Sequence, residues 1–260
     1  MKVNYGLTIP ISTVDWHGRV SISIFFRACP FRCPYCHNYK YLSDPDIIDT
    51  AEIEKDIIKS KPFVSSVLFS GGEPLMQIGA LKHLAAFAKK NGVLVGIHTN
   101  GFYPDRAAEL IAEGLVDKFF IDVKASPDDV ELYGKVVGYG EYEGVVGTPE
   151  EIVDRVTRTV DIVAASDVEL EIRTTVIRGL IGNADEVSMI AKWVAEHVTD
   201  KDIPYVIQQG LPINAMRESL RETLPFDRDE ILELAGHAHE FWDNIWIRVK
   251  DYGNEKVKFE

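Results

Sequence analysis

Residues 20–38 read Val20-Ser21-Ile22-Ser23-Ile24-Phe25-Phe26-Arg27-Ala28-Cys29-Pro30-Phe31-Arg32-Cys33-Pro34-Tyr35-Cys36-His37-Asn38. A largely apolar, β-prone run feeds a loop that holds all three cysteines of the 260-residue chain. A strand that ends in a chemically active loop is the pattern of an α/β fold, in which ligands gather at the carboxyl ends of parallel strands. Three thiolates at C-x3-C-x2-C spacing suit three corners of a [4Fe–4S] cube. Such a cube needs four ligands, so one iron would stay open to a ligand from outside the protein. Two plainer arrangements share the spacing. One is a zinc ion held by the three cysteines with His37 as fourth ligand, although adjacent Cys36 and His37 reach one tetrahedral ion with difficulty. The other is a packed set of unliganded thiols.

An odd, tightly spaced set of cysteines is not a disulfide framework, and its distribution points to a reducing, cytoplasmic setting. Apolar residues make up 46% of the chain and charged residues 27%, ordinary globular usage that excludes a wholly disordered chain. No apolar run reaches membrane-spanning length, and no secretory pattern opens the sequence. The net charge of −13 makes nucleic acid an unpromising partner.

Further apolar runs follow at Val64–Phe69, Val93–Ile97, Phe119–Val123, Leu170–Val176, Pro204–Ile207 and Ile245–Val249. They read as parallel strands covered on both faces. Between them Leu81, Leu84, Ala85 and Ala88 mark one apolar helix stripe, and Val187, Ile190, Ala191 and Val194 mark another. Thr148-Pro149-Glu150-Glu151 predicts a capped helix start. Repeated βα units imply a sheet with right-handed crossovers, either open and doubly wound or a full or partial barrel. The whole chain, 1–260, reads as one domain. It carries an N-terminal extension at 1–19, a glycine-rich loop at 125–148, and a C-terminal strand and tail at 242–260.

The strand ends carry polar groups. The second run ends in Ser70-Gly71-Gly72-Glu73-Pro74, where glycines allow close backbone approach; alone, this is equally a turn with a solvated glutamate. The third ends in His98-Thr99-Asn100-Gly101. The fourth contains Asp122 and Lys124, which point the same way at i and i+2 and would otherwise be a plain ion pair. The fifth places Glu171, Arg173 and Thr175 on one face. A buried Arg–Glu pair is weak evidence for stability, so this face is expected to line a polar site, the alternative being an amphipathic edge strand.

The cysteine spacing, with the aromatic Tyr35 before the last cysteine, resembles the signature of the radical S-adenosylmethionine (SAM) superfamily, and Gly71-Gly72-Glu73-Pro74 is similar to its GGEP motif. The resemblance implies an α/β fold of the incomplete (βα)6 TIM-like barrel type. It implies a [4Fe–4S] cluster on Cys29, Cys33 and Cys36, whose open iron binds the methionine part of SAM. Reductive cleavage of SAM would yield a 5′-deoxyadenosyl radical, so no side chain carries the radical chemistry. Tyr35, Gly71, Gly72, Glu73, Thr99, Asn100, Asp122, Lys124 and Arg173 are the implied SAM-binding shell.

The Thr99-Asn100-Gly101 turn, the Asp122-x-Lys124 pair and Ser12-Thr13-Val14-Asp15-Trp16-His17-Gly18-Arg19 resemble stretches of glycyl-radical-enzyme activating enzymes, the anaerobic ribonucleotide reductase activators among them. That likeness implies a protein substrate with a glycine radical site and an electron donor such as flavodoxin or ferredoxin. It also implies a monovalent cation near Asp122 and Thr99, although His98 stands where the family has an aspartate. A small substrate of pterin or deazapurine type, or another modified macromolecule, is the alternative within the same chemistry. A non-enzymatic zinc or electron-transfer protein is the alternative outside it. The stretch with Gly134, Gly138, Gly140, Gly144 and Gly147 is expected to be a substrate-side lid or flap, or else a surface loop.

Overall fold

The computed structural model describes residues 1–200 and 202–259. The strands are β1 (Lys2–Ser12), β2 (Ser21–Phe26), β3 (Ile47–Asp49), β4 (Ser66–Gly71), β5 (Leu94–Thr99), β6 (Lys118–Asp122), β7 (Glu169–Val176), β8 (Tyr205–Gln209), β9 (Ile245–Val249) and β10 (Gly253–Lys256). The helices are α1 (Thr50–Ser60), α2 (Ile78–Lys90), α3 (Pro104–Ala112), α4 (Val130–Val137), α5 (Pro149–Ala164), α6 (Ala184–His197), α7 (Glu218–Arg221) and α8 (Arg228–His239).

All ten strands join one sheet in the order β10-β9-β8-β7-β6-β5-β4-β2-β1-β3. The seven from β2 to β9 pair in parallel. The outer strands β1, β3 and β10 pair antiparallel. Six βα units followed by a seventh parallel strand make the partial TIM-like barrel expected from the sequence. Among the described residues, no helix is long and apolar enough to cross a membrane.

Two-residue periodicity decides what faces where. Ile22, Ile24, Val67, Phe69, Val95, Ile97, Phe119, Ile121, Ile172 and Ile247 point outward into the main apolar core, where α2, α5, α6 and α8 bury their stripes. The opposite face carries Ser70, His98, Asp122, Arg173, Gln208 and Arg248. The expectation of strands apolar on both faces is therefore corrected: the inner face is largely polar. Near its base Trp16 packs against Leu68 and Phe120. A Cβ on Gly96 would come within 2.7 Å of the Trp16 ring, so that glycine makes room for the indole.

Two segment readings change. The 1–19 stretch is not an appendage: β1 pairs with β2, and residues 15 and 16 enter the barrel. The 125–148 stretch is not all loop. Asp129 caps α4 by accepting from the Leu132 amide, and Gly138 ends the helix in the left-handed region. The helix start at Thr148 forms as expected, with reciprocal bonds between Thr148 and Glu151.

Candidate active site

The cysteine loop leaves β2 at the carboxyl end of the sheet and is held from both sides. On the inner side, the Gly72 amide donates to the Phe26 carbonyl and the Glu73 amide to the Ala28 carbonyl, at 2.8 and 2.9 Å. A Cβ on Gly72 would sit 1.9 Å from the Ala28 oxygen, so only glycine allows this contact. On the outer side the Arg32 amide donates to Val137, the Val146 amide to Pro30 and the Arg217 amide to Pro34. Phe31, Cys33 and Tyr35 share an apolar cluster with Phe102, Tyr133 and Val137. The glycine-rich stretch is thus a brace behind the cysteine loop. None of residues 125–148 borders the cavity itself.

The cavity has a volume of about 370 Å³. It brings together Cys29, Cys33, Cys36, Tyr35, Gly71, Gly72, Thr99, Asn100, Asp122, Lys124 and Arg173, all residues singled out from the sequence. Glu73 is the exception. It is fully buried and faces away from the cavity. Its Oε1 accepts from the Leu75 amide at 3.0 Å and the Thr99 hydroxyl at 2.8 Å, and its Oε2 accepts from the Asn100 amide at 2.8 Å. Burial pushes its carboxyl up to about 7 against those three donors. Glu73 therefore ties the ends of β4 and β5 together from behind the wall.

Burial pushes the thiols up: Cys29 well above its usual value, Cys33 to about 12, and Cys36 in the same direction. Three such thiols become thiolates only with strong positive charge beside them, which a bound metal supplies. The donor set fits a cluster better than a single ion. Among the described residues no three His, Cys, Asp or Glu side chains gather closely enough to hold one ion, and a cube takes each thiolate at a different iron.

Across the cavity, Lys124 Nζ lies 3.2 Å from Asp122 Oδ2 and 5.7 Å from the Tyr35 ring centre. The interior strand β7 supplies Arg173, whose Nε donates to Glu171 at 2.7 Å. The same guanidinium donates to His98 Nε2 at 2.7 Å and to the Asp15 carbonyl at 3.1 Å. The polar-site reading of that strand face is therefore preferred to an edge strand. Burial works against charge on Glu171, but Arg173, Lys118 and Arg248 together hold it below the usual carboxylate range. Burial, with Arg173 and Arg248, holds His98 well below its usual value; it is neutral and accepts from Arg173.

Asp15, His98 and Arg248 line the cavity without having been assigned to it from the sequence. Arg248 Nη1 donates to Gln208 Oε1 at 3.1 Å, and Asp15 accepts from the Ser23 hydroxyl at 2.6 Å. The available signal for Arg248 was one basic residue in an otherwise apolar strand, Ile-Trp-Ile-Arg-Val.

Residues 23–194, from the first inner strand through α6, match the model of the radical SAM superfamily. The chain belongs to the radical SAM superfamily. It is a radical SAM enzyme, and membership carries a [4Fe–4S] cluster and SAM as cofactors. Over 251 residues it is 32% identical to a candidate glycyl-radical enzyme activating enzyme of Methanocaldococcus jannaschii, covering 96% of this chain and 97% of that protein. A pyruvate formate-lyase-activating enzyme of Clostridium pasteurianum is 30% identical over 118 residues, 41% of this chain and 46% of that protein. Among solved structures, a radical SAM methyltransferase from Sphaerobacter thermophilus superposes with a TM-score of 0.67 at 11% identity. That match covers 92% of this chain and 68% of that one and supports the radical SAM fold alone. Asp15, Gln208 and Arg248 lie outside the stretch matched to the family.

Proposed function

We propose that this radical SAM enzyme activates a glycyl radical enzyme, of the anaerobic ribonucleotide reductase kind, by generating a radical on one of its glycines. The observation that carries this reading is similarity along nearly the whole chain to a candidate activating enzyme. Cys29, Cys33 and Cys36 hold the cluster. Tyr35, Gly71, Gly72, Thr99, Asp122, Lys124 and Arg173 face SAM. When bound, the reduced cluster and SAM supply a 5′-deoxyadenosyl radical that abstracts hydrogen from the substrate. The protein's part is to bind, orient and exclude water. Gly71 and Gly72 admit close approach of backbone, Lys124 and Asp122 offer a charged pair to polar ligand groups, and Phe25, Phe31 and Leu42 line the cavity with apolar surface.

Electrons come from a flavodoxin or ferredoxin in the reading's simplest form, and the free cysteines suit the reducing cytoplasm. A monovalent cation at Asp122 and Thr99 draws less support. Thr99 directs its hydroxyl to Glu73, Asp122 pairs with Lys124, and Arg173 already places a cation against His98. The polar wall of Asp15, Gln208 and Arg248 favours a second reading, a small polar substrate of pterin or deazapurine size.

The test is to mix the reduced, SAM-loaded protein with its co-purifying partner and record the EPR spectrum. A glycyl radical doublet on the partner is expected. Stoichiometric turnover of a pterin-sized molecule with no partner present would instead establish the second reading.

A further inference from the structure

Asn100 lines the cavity, yet both polar atoms of its carboxamide are engaged within the protein. Oδ1 accepts from the Phe102 amide at 3.0 Å, and Nδ2 lies 3.4 Å from Cys29 Sγ, within hydrogen-bonding range for sulfur. The first bond fixes the orientation: a backbone N–H requires an acceptor, so the oxygen faces Phe102 and the NH2 group faces the thiol. The backbone is fixed as well, because the Asn100 amide donates to Glu73 Oε2. Cys29 Sγ also accepts from the Phe31 amide at 3.4 Å. Among the described residues, Asn100 is the side chain that donates a hydrogen bond to a cysteine sulfur of the loop.

Resting on the radical SAM reading, we infer that Asn100 is a positioning residue that tunes the cluster through Cys29 rather than a ligand of SAM, with Glu73 holding it in register. Donors to a ligating sulfur stabilise the more electron-rich form, so they raise the reduction potential. An asparagine satisfies both demands of this position at once, an acceptor for the Phe102 amide and a donor to sulfur. Aspartate meets only the first. Serine is too short to reach the thiol.

The test is an EPR-monitored redox titration of the reconstituted holoenzyme, comparing wild type with Asn100→Ser and Asn100→Asp. Loss of the donor in Asn100→Ser should lower the reduction equilibrium about tenfold, or about 59 mV for a one-electron couple. Asn100→Asp, which adds negative charge, should fall further. SAM affinity of the oxidised Asn100→Ser holoenzyme should stay at the wild-type value. An unshifted potential in Asn100→Ser overturns the inference, as does a loss of SAM affinity with no change in potential.

If neither variant retains a cluster, the wild type decides. Protein labelled with 15N in asparagine carboxamides should show a nitrogen hyperfine coupling to the reduced cluster in pulsed EPR, and its absence overturns the inference. Failure of the underlying reading looks different, because the wild type then takes up no iron.

Discussion

Replacing Glu73 with glutamine should raise stability at pH 8 while impairing the site. Glu73 is fully buried, and burial lifts its carboxyl from 4.5 to about 7. That rise is worth about 3 kcal/mol at roughly 1.4 kcal/mol per pH unit. Between those two values the folded protein binds more protons than the unfolded chain. Stability therefore falls as pH rises from about 4.5 to 7, and the loss is complete above that. Near pH 5 the protonated carboxyl and the glutamine amide are close analogues, so wild type and Glu73→Gln should unfold at similar urea concentrations. At pH 8 the wild type carries the cost of its buried charge and the variant does not, so the variant should be the more stable by up to about 3 kcal/mol. The gain comes with misplacement of Asn100. All three donors to Glu73 need an acceptor, and the glutamine NH2 must face at least one of them. Activity should fall as stability rises, the usual exchange where a costly group serves the site. Urea midpoints of the iron-free proteins from pH 5 to pH 8 check this. A difference between the two proteins that stays constant across that range would refute the argument.

Gly72→Ala drives a Cβ against the Ala28 carbonyl at 1.9 Å. It should displace the cysteine loop, cost at least about 3 kcal/mol as an overpacked contact, and abolish iron uptake measured by metal analysis. Asp122→Ala removes the partner of Lys124 at the cavity wall. It should raise the SAM dissociation constant about tenfold, the worth of one hydrogen bond to a charged group, with iron content unchanged in equilibrium binding. Trp16→Ala empties the base of the barrel between Leu68 and Phe120. It should destabilise the fold by about 3–5 kcal/mol, read as a lowered denaturation midpoint.

Local patterns were legible in the sequence. Within the cysteine loop, within the Gly71-Gly72 turn and within the Asp122-x-Lys124 pair, the residues lie a few positions apart along the chain, so spacing alone brings each set into register. Arg173 was legible because polar residues alternate within a β-prone strand. Orientation was harder to read. The motif around Glu73 indicates a carboxylate at a strand end, but whether it faces the cavity or the wall depends on donors from β5, 26 and 27 residues away. Asp15 and Trp16 reach the interior from a segment that has no periodicity of its own, and Arg248 arrives on the last parallel strand. Both depend on how distant parts of the barrel meet. The stretch punctuated by glycines between 134 and 147 reads in the sequence as a lid, a flap or a surface loop. In the fold Gly138 instead ends α4 where the Arg32 carbonyl lies 2.2 Å from a built Cβ, so its lack of a side chain serves packing against the cysteine loop.

The most direct test of a SAM-binding cluster on the three cysteines is the EPR spectrum of the reconstituted, dithionite-reduced protein, recorded without and with SAM beside Cys33→Ala. The wild type should bind about four irons per chain, as one cube with an open corner. It should give a cluster signal that changes when SAM is added, and Cys33→Ala should give none. One zinc per chain without iron uptake, or a cluster signal indifferent to SAM, would contradict the account.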